Sequence, residues 1–157
     1  MELEIERKFL VRDTSFKKEA YKRSHIRQGF LNSDKHRVVR VRLIDDKGYL
    51  TIKGISNDSG TSRLEWEKEI DAKEAISLLQ LSENGVIEKY RHYVRNEHLV
   101  FEVDEFLGEN IGLLIAEIEV SNEKETFKKP SWLGEEVTGI EKYYNSNLYK
   151  NPFNNWA

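Results

Sequence analysis

Cysteine is absent from the 157-residue chain, which excludes disulfides and thiolate metal sites. Proline occurs only twice, so there is no Pro-rich linker. No apolar run approaches a membrane span, and the opening Met1 to Lys8 has no apolar signal region. The expectation is a soluble cytoplasmic protein. An excess of positive charge is also lacking: 25 Lys and Arg stand against 28 Asp and Glu, for a net charge of −3. That argues against a general nucleic-acid binder but leaves room for a local basic pocket. What is present is 38% hydrophobic and 11% aromatic, enough for an ordered chain. The length suits one domain over residues 1–157 with a real core. Charged residues, at 34%, are unusually frequent, and where they fall is the informative part.

The opening stretch Met1-Glu2-Leu3-Glu4-Ile5-Glu6-Arg7-Lys8-Phe9-Leu10-Val11 has the strand period of two. Glu2, Glu4, Glu6 and Lys8 share one face. Leu3, Ile5, Phe9 and Val11 share the other, with Arg7 the exception, read as a surface or docking residue. Further strands are expected at His25 to Leu31, His36 to Leu43, Tyr49 to Lys53, Thr61 to Ile70, Val86 to Arg95, Leu99 to Phe106 and Leu113 to Val120, with Gly29 a candidate bulge. Short helices are expected at Ser15 to Lys22, and at Ala72 to Leu81 behind the capping pair Asp71 and Glu74. Two more are expected from Asn122 to Pro130 and from Gly139 to Leu148 behind Thr138 and Glu141. Sequential hairpins imply an antiparallel sheet, and about eight strands is a size at which such a sheet can close.

Strand parity gives nearly every strand one charged and one apolar face. The charged faces tend to be pure in sign: Arg40 with Arg42 and Lys89 with Arg91, against Glu65 with Glu67, Glu102 with Asp104 and Glu117 with Glu119. Lys53 sits with Thr51. Periodicity alone fits either a sandwich with charges in water or a barrel with charges in its lumen. Purity of sign favours the barrel, because a solubility surface more often mixes signs. Charges in a lumen must be paired, solvated or bound to ions. Alternate carboxylates suit a hard divalent cation such as Mg2+ or Mn2+, and Arg and Lys rows suit phosphate oxygens.

Glu4-Ile5-Glu6-Arg7-Lys8 matches the ExExK signature of the CYTH superfamily, the triphosphate tunnel metalloenzymes. Other segments resemble that family in order along nearly the whole chain. They are Arg27-Gln28-Gly29-Phe30-Leu31, Arg40-Val41-Arg42, Thr51-Ile52-Lys53, Glu65-Trp66-Glu67, Glu88-Lys89-Tyr90-Arg91, Ala116-Glu117-Ile118-Glu119, Trp132 to Thr138 and Lys142-Tyr143-Tyr144-Asn145. The resemblance implies a mainly β, α+β fold: an eight-stranded antiparallel closed barrel with a charged lumen and a few helices outside. It implies a triphosphate held by Lys8, Arg27, Arg40, Arg42, Lys53, Lys89 and Arg91. Metal, as two Mg2+ or Mn2+ ions, is implied at Glu4, Glu6, Glu117 and Glu119. Glu65 and Glu67 are further lumen carboxylates by the same resemblance, and parity adds Glu102 and Asp104.

Glu4, Glu6 and Lys8 are thereby the expected catalytic residues of metal-dependent hydrolysis of a triphosphate, with inorganic tripolyphosphate the leading substrate. An adenylate cyclase making cyclic AMP, and a non-catalytic polyphosphate- or nucleotide-binding module, are the alternatives. The expected partner is a small polyanion, neither nucleic acid nor membrane, with a homodimer admitted. Two positions depart from the pattern. Phe30 stands where some small bacterial members have a tyrosine beside the lysine of ExExK, and a phenyl ring offers that lysine no hydroxyl. Lys142 stands where arginine is usual and keeps the charge without the fork.

Overall fold

The structure, a computed structural model, describes residues 2–156. Its strands are Glu2–Val11 (β1), Lys22–Asn32 (β2), Arg37–Ile44 (β3), Lys47–Gly54 (β4), Ser62–Ile70 (β5), Ile87–Asn96 (β6), Leu99–Phe106 (β7), Leu114–Glu119 (β8) and Leu133–Glu136 (β9). The α-helices are Phe16–Glu19 (α1), Ala72–Leu79 (α2) and Asn145–Leu148 (α3). The strand order is β5-β4-β3-β2-β6-β7-β8-β1, every pairing is antiparallel, and β1 pairs back onto β5. An eight-stranded barrel is thereby closed and has no free edges. The length of β1 lets it do two jobs on that side. Residues 2–5 pair with β5, and further along Phe9 and Val11 pair with the extra strand β9.

Tight turns set the register. Asp45 and Asp46 link the paired Ile44 and Lys47, with Asp45 at φ 53. Its carboxylate accepts from the His25 N–H at 3.0 Å, a short polar side chain occupying a left-handed position. Glu97 at φ 57 serves likewise between Asn96 and Leu99.

The β1–β5 pairing that closes the sheet settles the barrel against the sandwich; outward apolar faces are packed over part of the wall and stay exposed at Leu3, Ile52, Leu64 and Trp66. One cluster packs Phe9, Phe101, Val103, Ala116 and Ile118 beneath Phe16 of α1 and the fully buried Trp132. A second lies on the inward side: Ile87, Phe106 and Ile115 share the parity of Lys89, Asp104 and Glu117 and pack against Leu148 of α3 inside the barrel. In the third, Ala75 and Leu79 of α2 cover Val41. The Asp71–Glu74 capping box starts α2 as expected. Gly48 makes the contact with β4 possible, since a Cβ there would lie 2.7 Å from that of Ala75.

Three expectations are corrected. Gly29 is not a bulge: the register shift falls between Phe30 and Asn32, and Gly29 is small because a Cβ would lie 1.8 Å from Ser82 Oγ. Residues 122–130 form no helix, because Glu125 accepts from the Ser121 N–H and hydroxyl instead of a capping-box amide. Phe127 there straps across Phe9 and Phe101. The helix expected at 139–148 is reduced to a 3-10 turn at 141–143 and α3, since the Thr138 hydroxyl caps nothing. It accepts from the Lys8 N–H at 2.9 Å and donates to Glu136 at 2.7 Å.

Candidate active site

The charged faces meet in a lumen of about 260 Å³. Among the described side chains, seven carboxylates (Glu4, Glu6, Glu65, Glu67, Glu102, Glu117, Glu119) and seven cations (Lys8, Arg40, Arg42, Lys53, Arg63, Lys89, Arg91) line it. Formal charge therefore balances, but strand order sorts it by side. The contiguous strands β4, β3, β2 and β6 supply Lys53, Arg40, Arg42, Lys89 and Arg91. The other half, β7, β8, β1 and β5, supplies all seven of these carboxylates, with Lys8 and Arg63 as its cations. The cavity thus has a basic wall facing an acidic one.

On the basic wall, Asp104 anchors two cations. It accepts two hydrogen bonds from Arg91, at 2.8 and 2.9 Å, and one from Lys89 at 2.7 Å. Burial pushes the Asp104 carboxyl up, but Arg91 and Lys89 outweigh burial and hold it below its usual value. Burial also lowers Lys89 to about 8, against the opposing pull of Asp104. Asn145, at the start of α3, accepts from Lys89 at 3.0 Å and from Gln28 at 3.2 Å, so the C-terminal segment helps fix this wall. Arg40 lies 3.8 Å and Arg42 3.5 Å from Glu67, which stands two strands along in the same cross-strand row as Arg40 and Thr51. Burial first, then Arg42 and Arg91, lower Arg40 to about 9. The Nε atoms of Arg40 and Arg42 are buried without a hydrogen-bond partner. Two unpartnered guanidinium donors on one strand face suit the oxygens of an anion.

On the acidic wall the strain has the opposite sign. Burial first, then Glu117 and Glu4, push Glu6 well above the usual carboxylate value. Glu4 is raised by burial, with Lys53 opposing. Its oxygens accept from Lys53 at 3.0 and 3.1 Å. Glu117 is held well below its usual value, because Lys8 and Arg91 outweigh its burial. Glu6 pairs in register with Glu119, and Lys8 with Glu117. Among the described residues no three carboxylates or histidines stand ready-gathered at metal-ligating spacing. The fit to a cation rests on crowding and donor chemistry. Glu4, Glu6 and Glu117 are oxygen donors, Glu4 and Glu117 raise the proton affinity of the buried Glu6 between them, and a hard divalent ion relieves that.

Lys8 is enclosed. Its ammonium lies 3.5 Å from Glu117, 3.4 Å from the Tyr143 carbonyl it donates to, and 5.1 Å above the ring of Tyr144. Phe30 lines the lumen with its ring against Tyr149.

Of the residues expected from sequence, all but two line the cavity. Asp104 faces inward from β7 but is fully buried against Lys89 and Arg91, so it anchors those cations without lining the cavity itself. Arg27 is a correction: it falls on the outward parity of β2, exposed between Leu43 and Glu88, and does not reach the lumen. Its neighbours Ile26 and Gln28 take the inward positions. Sequence reasoning passed over Arg63, whose parity with Glu65 was available. It also passed over Ser56, Gly60, Thr61, Thr138 and Tyr144, which line the cavity from segments that carry no period, and Asn145 and Ser146 at the start of α3. Arg7 lies outside as expected, forked onto Glu136 at 2.9 and 2.7 Å and over Phe127, which fastens β9 to β1.

Comparison with known proteins bears on the same surface. The CYTH domain model matches residues 2–148. An inorganic triphosphatase of Acetivibrio thermocellus is 53% identical over 154 residues, covering 98% of this chain and 97% of that one. An inorganic triphosphatase of Nitrosomonas europaea is 33% identical over 149 residues, covering 92% and 95%. The crystal structure of an inorganic triphosphatase superposes with a TM-score of 0.66 at 30% identity, covering 95% of each chain.

Proposed function

The chain belongs to the CYTH domain family, and from that premise we propose that it is a hydrolase that removes the terminal phosphoryl group of inorganic tripolyphosphate. The observation that carries this reading is the pair of buried, unpartnered guanidinium nitrogens on Arg40 and Arg42, opposite a crowded row of carboxylates. A linear polyanion carrying a divalent cation complements both walls at once.

In this reading Arg40, Arg42, Lys53, Lys89 and Arg91 bind the non-bridging oxygens along the basic wall. Bidentate arginine contacts fix the chain of phosphates in line. Asp104 keeps Lys89 and Arg91 pointed inward and charged near neutral pH. Lys8, on the opposite side, offsets the charge that grows on the transferred group. Glu4, Glu6, Glu117 and Glu119 would hold the metal, as two Mg2+ or Mn2+ ions. Once bound, the metal supplies charge neutralisation and a bound water of lowered pKa. Glu67 and Glu102 pair with Arg40, Arg42 and Arg91 from nearby strands, and Glu65 is a further lumen carboxylate. We further read the chain as one cytoplasmic domain whose ligand is a small polyanion.

The test is phosphate release from tripolyphosphate, ATP and thiamine triphosphate, each with Mg2+ and with Mn2+. The expected result is metal-dependent release, fastest from tripolyphosphate. No turnover of any substrate, or cyclic AMP from ATP without phosphate release, contradicts the proposal.

A further inference from the structure

Position 30 leaves a gap that the structure fills from elsewhere. Phe30 has no hydroxyl to offer Lys8, yet the Lys8 ammonium is not loose. The Tyr144 ring lies beneath it at 5.1 Å, the Tyr143 carbonyl accepts from it at 3.4 Å, and Glu117 stands 3.5 Å away. A cation over an aromatic face in a partly desolvated site is held by the ring quadrupole. The ring itself is fixed from both ends. Its backbone opens α3, where the Tyr144 carbonyl accepts from the N–H groups of Asn147 at 2.9 Å and Leu148 at 3.1 Å, and Leu148 is fully buried. Its hydroxyl rests against Gly60 of the β4–β5 loop, 3.2 Å from where a Cβ would sit.

Two glycines admit that approach. Gly60 and Gly139, at φ 75 and 79, bring their backbones so close that a Gly60 Cβ would lie 2.3 Å from Gly139 Cα. Neither spacing nor parity in the sequence joins Tyr144 to Lys8; the closure of these loops does.

We propose that Tyr144 is a positioning residue for the phosphoryl transfer, its ring holding the Lys8 ammonium toward the terminal phosphoryl group in place of a tyrosine at position 30. The proposal rests on the triphosphatase reading for its kinetic consequence, but not for its geometry. Tyr144→Leu lowers kcat for tripolyphosphate about 10-fold with a smaller change in KM, since a desolvated cation–π contact is of that order. Tyr144→Phe, which keeps the ring, recovers most of that loss. In a Lys8→Met background, Tyr144→Leu adds little, because the ring then has no cation to hold.

The readout independent of turnover is NMR of the Lys8 ε-methylene, assigned by its loss in Lys8→Arg. Its protons are shifted upfield by the ring in the unmodified protein and in Tyr144→Phe, and return to ordinary positions in Tyr144→Leu. An unchanged Lys8 shift in Tyr144→Leu overturns the proposal. So does a loss of activity in the Lys8→Met background as large as in the parent. If the unmodified protein releases no phosphate, the triphosphatase reading fails, and the ring shift still decides the geometric claim.

Discussion

At the scale of the residue, the basic wall depends on how each cation is kept charged. Lys89 has a lowered pKa of about 8 because burial favours the neutral amine. Its charge is therefore lost as pH rises through about 8, where an ordinary lysine would still carry it. The apparent affinity for tripolyphosphate should fall across that range by roughly tenfold, the worth of one charge-assisted contact. Lys89→Arg should remove the fall, and KM measured against pH for both proteins checks it. Asp104 makes the complementary case. Asp104→Asn leaves the buried Lys89 and Arg91 without their counter-charge. The expected cost is about 3 kcal/mol, a drop in Tm of roughly 10 °C by calorimetry. A drop of a degree or two would show that these cations find other partners.

At the scale of the element, what could be read in advance followed from local period. The inward positions of β1, β3, β4, β5, β7 and β8 were legible because alternation fixes parity, and those of β6 because Lys89 and Arg91 stand two apart. β2 hid its inward face. Its only lumen-side polar group beside Ser24 is Gln28, while Arg27 is charged and exposed, so charge pointed to the wrong parity. The helices expected at 122–130 and 139–148 failed because Glu125 and Thr138 spend their capping atoms on Ser121 and on Lys8 with Glu136. No local pattern announces a tertiary partner. The packing of α2 gives a test at this scale. Gly48→Val places branched bulk where even a Cβ would lie 2.7 Å from Ala75, and should destabilise the protein by about 2 kcal/mol in urea unfolding. Asp71→Ala should cost about 1 kcal/mol through the lost capping box.

At the scale of the whole molecule, the barrel puts its charge inside and two of its three apolar clusters outside the wall, the third lying within it against Leu148. Closure through β1 and β5 brings together strands that are far apart in sequence, and it also sorts basic strands from acidic ones. That sorting is the central claim: one half of the lumen holds the anion and the other half the cation. Steady-state phosphate release from tripolyphosphate, with substrate and divalent cation varied independently, tests it most directly in the unmodified protein, Arg42→Gln and Glu117→Gln. The account predicts that Arg42→Gln raises KM for tripolyphosphate about tenfold or more at saturating cation, while Glu117→Gln raises chiefly the cation concentration required. Both variants shifting the two requirements alike, or no phosphate release from the unmodified protein, would contradict it.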